Sequence, residues 1–119
     1  MRTSKYTALT EVVCKCGCGG VPTKNMLEKF DQLREAYGKS IIITSASRCE
    51  KHNQKIGGSK NSNHVKGLAM DLLRTDALED FILKNLETLD IYIEDLAYTK
   101  NWIHVAIVPP KSKQRIFKP

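Results

Sequence analysis

The sequence predicts a small single α+β domain spanning residues 1–119, with a largely antiparallel sheet packed against helices. Three observations carry this expectation. Two stretches repeat apolar residues at helical spacing, and several short runs are rich in β-branched residues. The two kinds of segment are mixed without the regular strand–helix–strand alternation of a parallel sheet. A length of 119 residues suffices for one hydrophobic core, and no repeat, low-complexity segment or linker divides the chain.

The elements follow in order. Residues 10–13 form a short lead-in to a glycine-punctuated loop that holds Cys14, Cys16 and Cys18. Thr23 can cap a helix whose Met26, Leu27, Phe30, Leu33 and Tyr37 share one face, and Gly38 ends it. Ile41, Ile42, Ile43 and Thr44 read as a buried strand. Residues 45–63 are polar, with a short helix expected over 50–55 and a loop around Gly57 and Gly58. Residues 65–73 read as extended chain interrupted at Gly67. A second helix begins near Thr75, whose hydroxyl can cap it, and Asp76, Glu79 and Asp80 suit the positive end of its dipole. Leu78, Phe81, Ile82, Leu86 and Leu89 make its apolar face. Two strands close the fold, over 90–94 and 102–108, joined by a loop around Tyr98, Thr99 and Lys100. Pro109 and Pro110 end the second.

Composition narrows the function classes. Hydrophobic residues make up 41% and charged residues 27%, which excludes a disordered or fibrous chain. The apolar stretches 41–43 and 103–108 are too short to span a membrane. The first residues lack the apolar run of a secretory signal, so synthesis in a cytoplasm is expected, with any export supplied by a separate system. A net charge of +6 favours anionic partners without choosing among them. Its densest part, Lys111, Lys113, Arg115 and Lys118, reads as a solvated tail.

Cys14, Cys16 and Cys18 alternate, a spacing unlike the ligand pairs of zinc fingers or knuckles. With aromatic residues at only 7%, a stacking platform is also missing, and no nucleic-acid partner is expected. A disulfide to Cys49, a second soft-metal site and small buried thiols compete as explanations of the cysteines. Reducing cytosol favours the thiols.

Two of the three histidines stand where a metal site would be built. His64 lies seven residues before Asp71, and His104 lies within an apolar strand. Two imidazoles and a carboxylate match the three protein ligands of a catalytic zinc. Strict alternation would send His64 and Asp71 to opposite faces of a strand, but Gly67 between them permits a turn or bulge. Asp71, flanked by Ala69, Met70, Leu72 and Leu73, should be partly buried and therefore in need of a cation or several donors. Taken alone, His104 could equally be a hydrogen-bonded core residue, and Asp71 a cap or ion-pair partner.

The segment Ser45-Ala46-Ser47-Arg48-Cys49, then His52-Asn53, Gly57-Gly58 and Ser62-x-His64-x-x-Gly67-x-Ala69-x-Asp71, resembles the signature of the hedgehog-type zinc peptidases. Trp102-Ile103-His104 resembles that family's aromatic-x-His element, and the likeness runs from about Glu11 to Ile107. Among these enzymes are D-Ala-D-Ala carboxypeptidases and L-alanyl-D-glutamate endopeptidases that cut bacterial peptidoglycan, many of them phage endolysins. The resemblance implies a Zn2+ cofactor held by His64, Asp71 and His104, a peptidoglycan stem peptide as substrate, and action on the bacterial cell wall by a monomer. Arg48 would hold a carboxylate or carbonyl of the stem, and Ser62 would contact substrate or orient the loop beside His64.

The pattern departs at the acid–base position. Well-known relatives carry Glu or Asp three residues before the second histidine, where this chain has Asn101. Others carry Asp two residues after it, where this chain has Ala106. Proton transfer is then expected from Glu94 or Asp95, if the last two strands pair as a hairpin. Alternation allows only one of the two to face the site, and the longer Glu94 is preferred. The alternative is a catalytically silent zinc domain that binds or braces.

Overall fold

A computed structural model describes residues 3–14, 20–46 and 67–118. A short helix α1 (Leu9–Val12) leads to the long helix α2 (Lys24–Tyr37), then strand β1 (Ile43–Ser45). Strand β2 (Ala69–Leu73) and helix α3 (Asp76–Asn85) come next, followed by β3 (Tyr92–Glu94), β4 (Trp102–Ala106) and β5 (Ile116–Phe117). The five strands lie in one sheet in the order β1-β2-β4-β3-β5. Every pairing is antiparallel except the last, in which β5 runs parallel to β3. The expected α+β architecture with a largely antiparallel sheet is therefore the one observed.

Both long helices start as their sequences direct and α2 also stops so, whereas α3 ends at Asn85, before the Leu86 and Leu89 expected on its apolar face. The Thr23 hydroxyl accepts from Met26 N–H, and Gly38 closes α2 in a left-handed conformation that costs glycine little. The Thr75 hydroxyl accepts from Leu78 N–H at the start of α3, with Asp76 and Glu79 in its first turn. Met26, Phe30 and Leu33 of α2 meet Met70, Leu72 and Val105 on one face of the sheet. Leu78 and Ile82 of α3 join the same core, and Tyr37 meets Phe81 with ring centroids 5.2 Å apart. Each fully buried Leu, Ile or Met is worth about 1.5–3 kcal/mol of transfer free energy, so this single core sets the plane of the sheet.

Some expectations need correction. The strand expected at 41–44 begins two residues later and lies at the sheet edge, so Ile41 is buried while Ile42 is 60% exposed. It also bulges: Ile43 pairs with Leu72 but Ser45 pairs with Asp71, leaving Thr44 as the extra residue. The strand expected at 90–94 starts at Tyr92, because Asp90 takes a positive φ of 53° in the turn after α3. The basic end is not wholly a solvated tail, since Ile116 and Phe117 form β5.

Gly67 takes φ 73°, and a Cβ there would come within 3.0 Å of the Thr23 nitrogen. Its carbonyl accepts from that same N–H at 2.9 Å, tying the approach to β2 to the start of α2. The turn expected at Gly67 is present for both reasons. Among the described residues no helix is long and apolar enough to cross a membrane.

Candidate active site

Asp71 is the third of five residues in β2, and His104 the third of five in β4. The register pairs them directly. Alternation sends Met70, Leu72, Ile103 and Val105 into the core, each 0–1% exposed, and leaves Asp71 and His104 side by side on the other face. His104 Nδ1 stands 2.9 Å from Asp71 Oδ1, and each side chain is only 14% exposed. Ala69 and Ala106, one step along on the same face, are fully buried. The pair therefore lies beside a covered area rather than on open sheet.

Either a proton or a cation can occupy the space between these two atoms. Two donors held about 2.0–2.1 Å from one tetrahedral zinc lie roughly 3.3 Å apart, close to the separation found. A carboxylate this far from water needs such a partner. Among the described residues no group of three or more His, Cys, Asp or Glu side chains converges. The third expected donor, His64, lies outside the described residues, as do Arg48, Ser62, His52, Cys16, Cys18, Cys49 and the helix expected at 50–55. Cys14 is described and buried, and its N–H donates to the Gly20 carbonyl at 2.7 Å.

The donor row continues to both sides. Ser45 pairs with Asp71 at one end, and β3 pairs with β4 as an antiparallel neighbour with Ile93 opposite Val105. Continued by one residue, that register would set Glu94 opposite His104. In turn Phe117 pairs with Glu94. Ser45, Asp71 and His104 thus form one row across β1, β2 and β4, and Glu94 and Phe117 form a pair on β3 and β5 that the continued register would align with it. Alternation separates Glu94 from Asp95, whose carboxylate instead accepts from Ala97 N–H at 2.9 Å and starts the loop to β4. Asn101 is exposed in that loop, and its carbonyl accepts from Arg74 N–H at 3.2 Å.

Sequence reasoning missed two residues that shape this site. Arg74, directly after β2, forks onto both Glu79 oxygens at 3.0 and 3.3 Å and donates to the carbonyls of Leu96 and Thr99 at 2.9 and 3.1 Å. It thereby ties the start of α3 to the loop joining the Glu94 and His104 strands. An arginine five residues before a glutamate, at a strand–helix junction, was the available signal. Phe117 is the second: its ring meets the His104 ring edge-on at 6.0 Å between centroids. Two residues beyond a proline pair and a basic run gave no such signal.

A histidine and a carboxylate thus face each other on the paired strands β2 and β4. Residues 5–106 match the family model described as peptidase M15, and the chain belongs to this peptidase family. No curated protein matches the sequence. The matched stretch ends with the last residue of β4, so β5 lies beyond it.

Proposed function

We propose that this peptidase is a zinc-dependent hydrolase of peptidoglycan stem peptides, of the D-Ala-D-Ala carboxypeptidase or L-alanyl-D-glutamate endopeptidase type. The observation that carries the reading is the 2.9 Å approach of His104 Nδ1 to Asp71 Oδ1 in a chain that belongs to the peptidase M15 family. An imidazole nitrogen and a carboxylate oxygen are donors that Zn2+ takes, so the pair fits the ion, with His64 proposed as the third ligand. Bound Zn2+ supplies Lewis acidity toward a scissile carbonyl and lowers the pKa of its water to near 7.

The chain's own residues do the rest of the proposed work. Asp71 and His104 keep their donor atoms together because five paired residues fix β2 against β4. Glu94, which the continued register would set opposite His104, accepts the proton of the attacking water on its carboxylate and returns it to the leaving amine. Arg48 takes a carboxylate or carbonyl of the stem in its planar fork, and Ser62 hydrogen-bonds substrate. The net charge of +6 favours residence on the anionic cell wall, where a monomer of this size would act, free or carried by a phage particle.

Hydrolysis of defined stem peptides tests the reading. Cleavage beside a D-amino acid that a chelator stops, Zn2+ restores and Asp71→Asn abolishes is the expected result. Asn101, at the position where relatives carry an acid, favours the second reading of a silent zinc domain. That reading wins if the protein carries zinc and binds peptidoglycan but cleaves no stem peptide.

A further inference from the structure

The last strand lies outside the stretch that matches the peptidase family, yet it is firmly placed against the site. Ile93 N–H donates to the Arg115 carbonyl at 2.8 Å, and Asp95 N–H to the Phe117 carbonyl at 2.7 Å. The Arg115 guanidinium donates to Asp90 at 2.8 Å and to the Ile91 carbonyl at 3.3 Å, and stacks 4.5 Å from the centre of the Tyr92 ring. These contacts hold β5 in register on both sides of Glu94, so the direction of Phe117 is fixed by the sheet.

That direction is toward His104. The two rings meet at an interplanar angle of 85° with centroids 6.0 Å apart, within the range favoured by edge-to-face aromatic pairs. His104 is thus bounded by Asp71 at Nδ1 on the β2 side and by Phe117 on the β5 side. An imidazole free to turn about its side-chain bonds would spend much of its time with Nδ1 away from the carboxylate. The Phe117 ring meets the imidazole from across β3, on the side opposite Asp71.

We propose that Phe117 is a positioning residue of the active site: its ring fixes the His104 imidazole, and β5 thereby sets how well the His104–Asp71 pair is preorganised to hold a metal ion. The metal part rests on the zinc reading above; the positioning part does not. A ring lock of this kind is worth about three- to tenfold in affinity.

The test compares the wild type with Phe117→Ala, Phe117→Leu and Phe117→Tyr in the full chain. Zinc affinity is measured by competition with a chromophoric chelator. His104 ring nitrogens are followed by NMR in the metal-free protein, and metal-free melting reports folding. Weaker zinc binding in Phe117→Ala by about three- to tenfold, partial loss in Phe117→Leu and recovery in Phe117→Tyr, at similar melting temperatures, is the expected result. Wild-type affinity in a folded Phe117→Ala overturns the proposal. If the wild type takes no zinc, the zinc reading fails and the ring signals decide alone. A second set of His104 signals, or broadening, in Phe117→Ala and Phe117→Leu supports positioning, and unchanged sharp signals overturn it.

Discussion

Strands β2 and β4 pair through five consecutive residues at the centre of the sheet, whereas β3 and β5 pair through two at its edge. The central ribbon carries Asp71 and His104, and its core face is filled by Met70, Leu72, Ile103 and Val105. The edge carries Glu94 and Phe117 and is fastened by a few backbone bonds and one arginine. The difference assigns separate physical jobs. The facing pair is built into the longest ribbon of the sheet, and Glu94 stands on a shorter strand whose buried Ile93 anchors it to the same core. Change at the edge should alter turnover and tuning, and change at the centre should remove the site.

The sharpest way to break this comparison is Glu94→Gln. The proposed base lost from the edge should lower kcat by about a hundredfold or more while zinc content stays at the wild-type level. Activity that survives removes Glu94 from the mechanism. Next in size is Ile103→Ala, which empties a fully buried position beside His104 and should cost about 3 kcal/mol of stability in chemical denaturation. Ile116→Ala in β5, at a position 41% exposed, should cost under about 1 kcal/mol. Equal losses would show that edge and centre are not different in kind.

Arg74→Ala is expected to cost about 2 kcal/mol, because two loop carbonyls and a partly buried Glu79 lose a charged donor. Exchange of the 95–101 amides should quicken with it. The smallest effect belongs to Asp90. The hydrogen bond from Arg115 holds its carboxyl below the ordinary value of 3.8. A depressed folded value stabilises above the unfolded value and is lost as pH falls through the folded one. Protection of the Asp95 amide, which is bonded to Phe117, should therefore hold down to about pH 3.8 and weaken below it. Asp90→Asn should show the weakened protection throughout, with global stability near the wild type at neutral pH.

The facing of Asp71 and His104 and the choice between Glu94 and Asp95 could be reasoned from the sequence, whereas Phe117 could not, for a physical reason. Asp71 within Ala69-Met70-Asp71-Leu72-Leu73 and His104 within Trp102-Ile103-His104-Val105 interrupt apolar strands, and a polar residue there must find a partner. Alternation also separated Glu94 from Asp95 before their surroundings were known. Thr23, Gly38 and Thr75 marked the helix ends through cap chemistry that acts within a few residues. Phe117 has no such local signature. Its role depends on a parallel pairing with β3 more than twenty residues away, after Pro109, Pro110 and a basic run that reads as tail. The bulge at Thr44 was hidden likewise, since register between distant strands is written in the pairing and not in either strand alone.

Metal content of the purified protein tests the central claim most directly, measured by mass spectrometry on the wild type and His104→Ala side by side. One zinc per chain in the wild type, lost in a folded His104→Ala, is the result expected from the facing donors of β2 and β4. A wild type without zinc, or a His104→Ala variant that keeps it in full, would contradict the account.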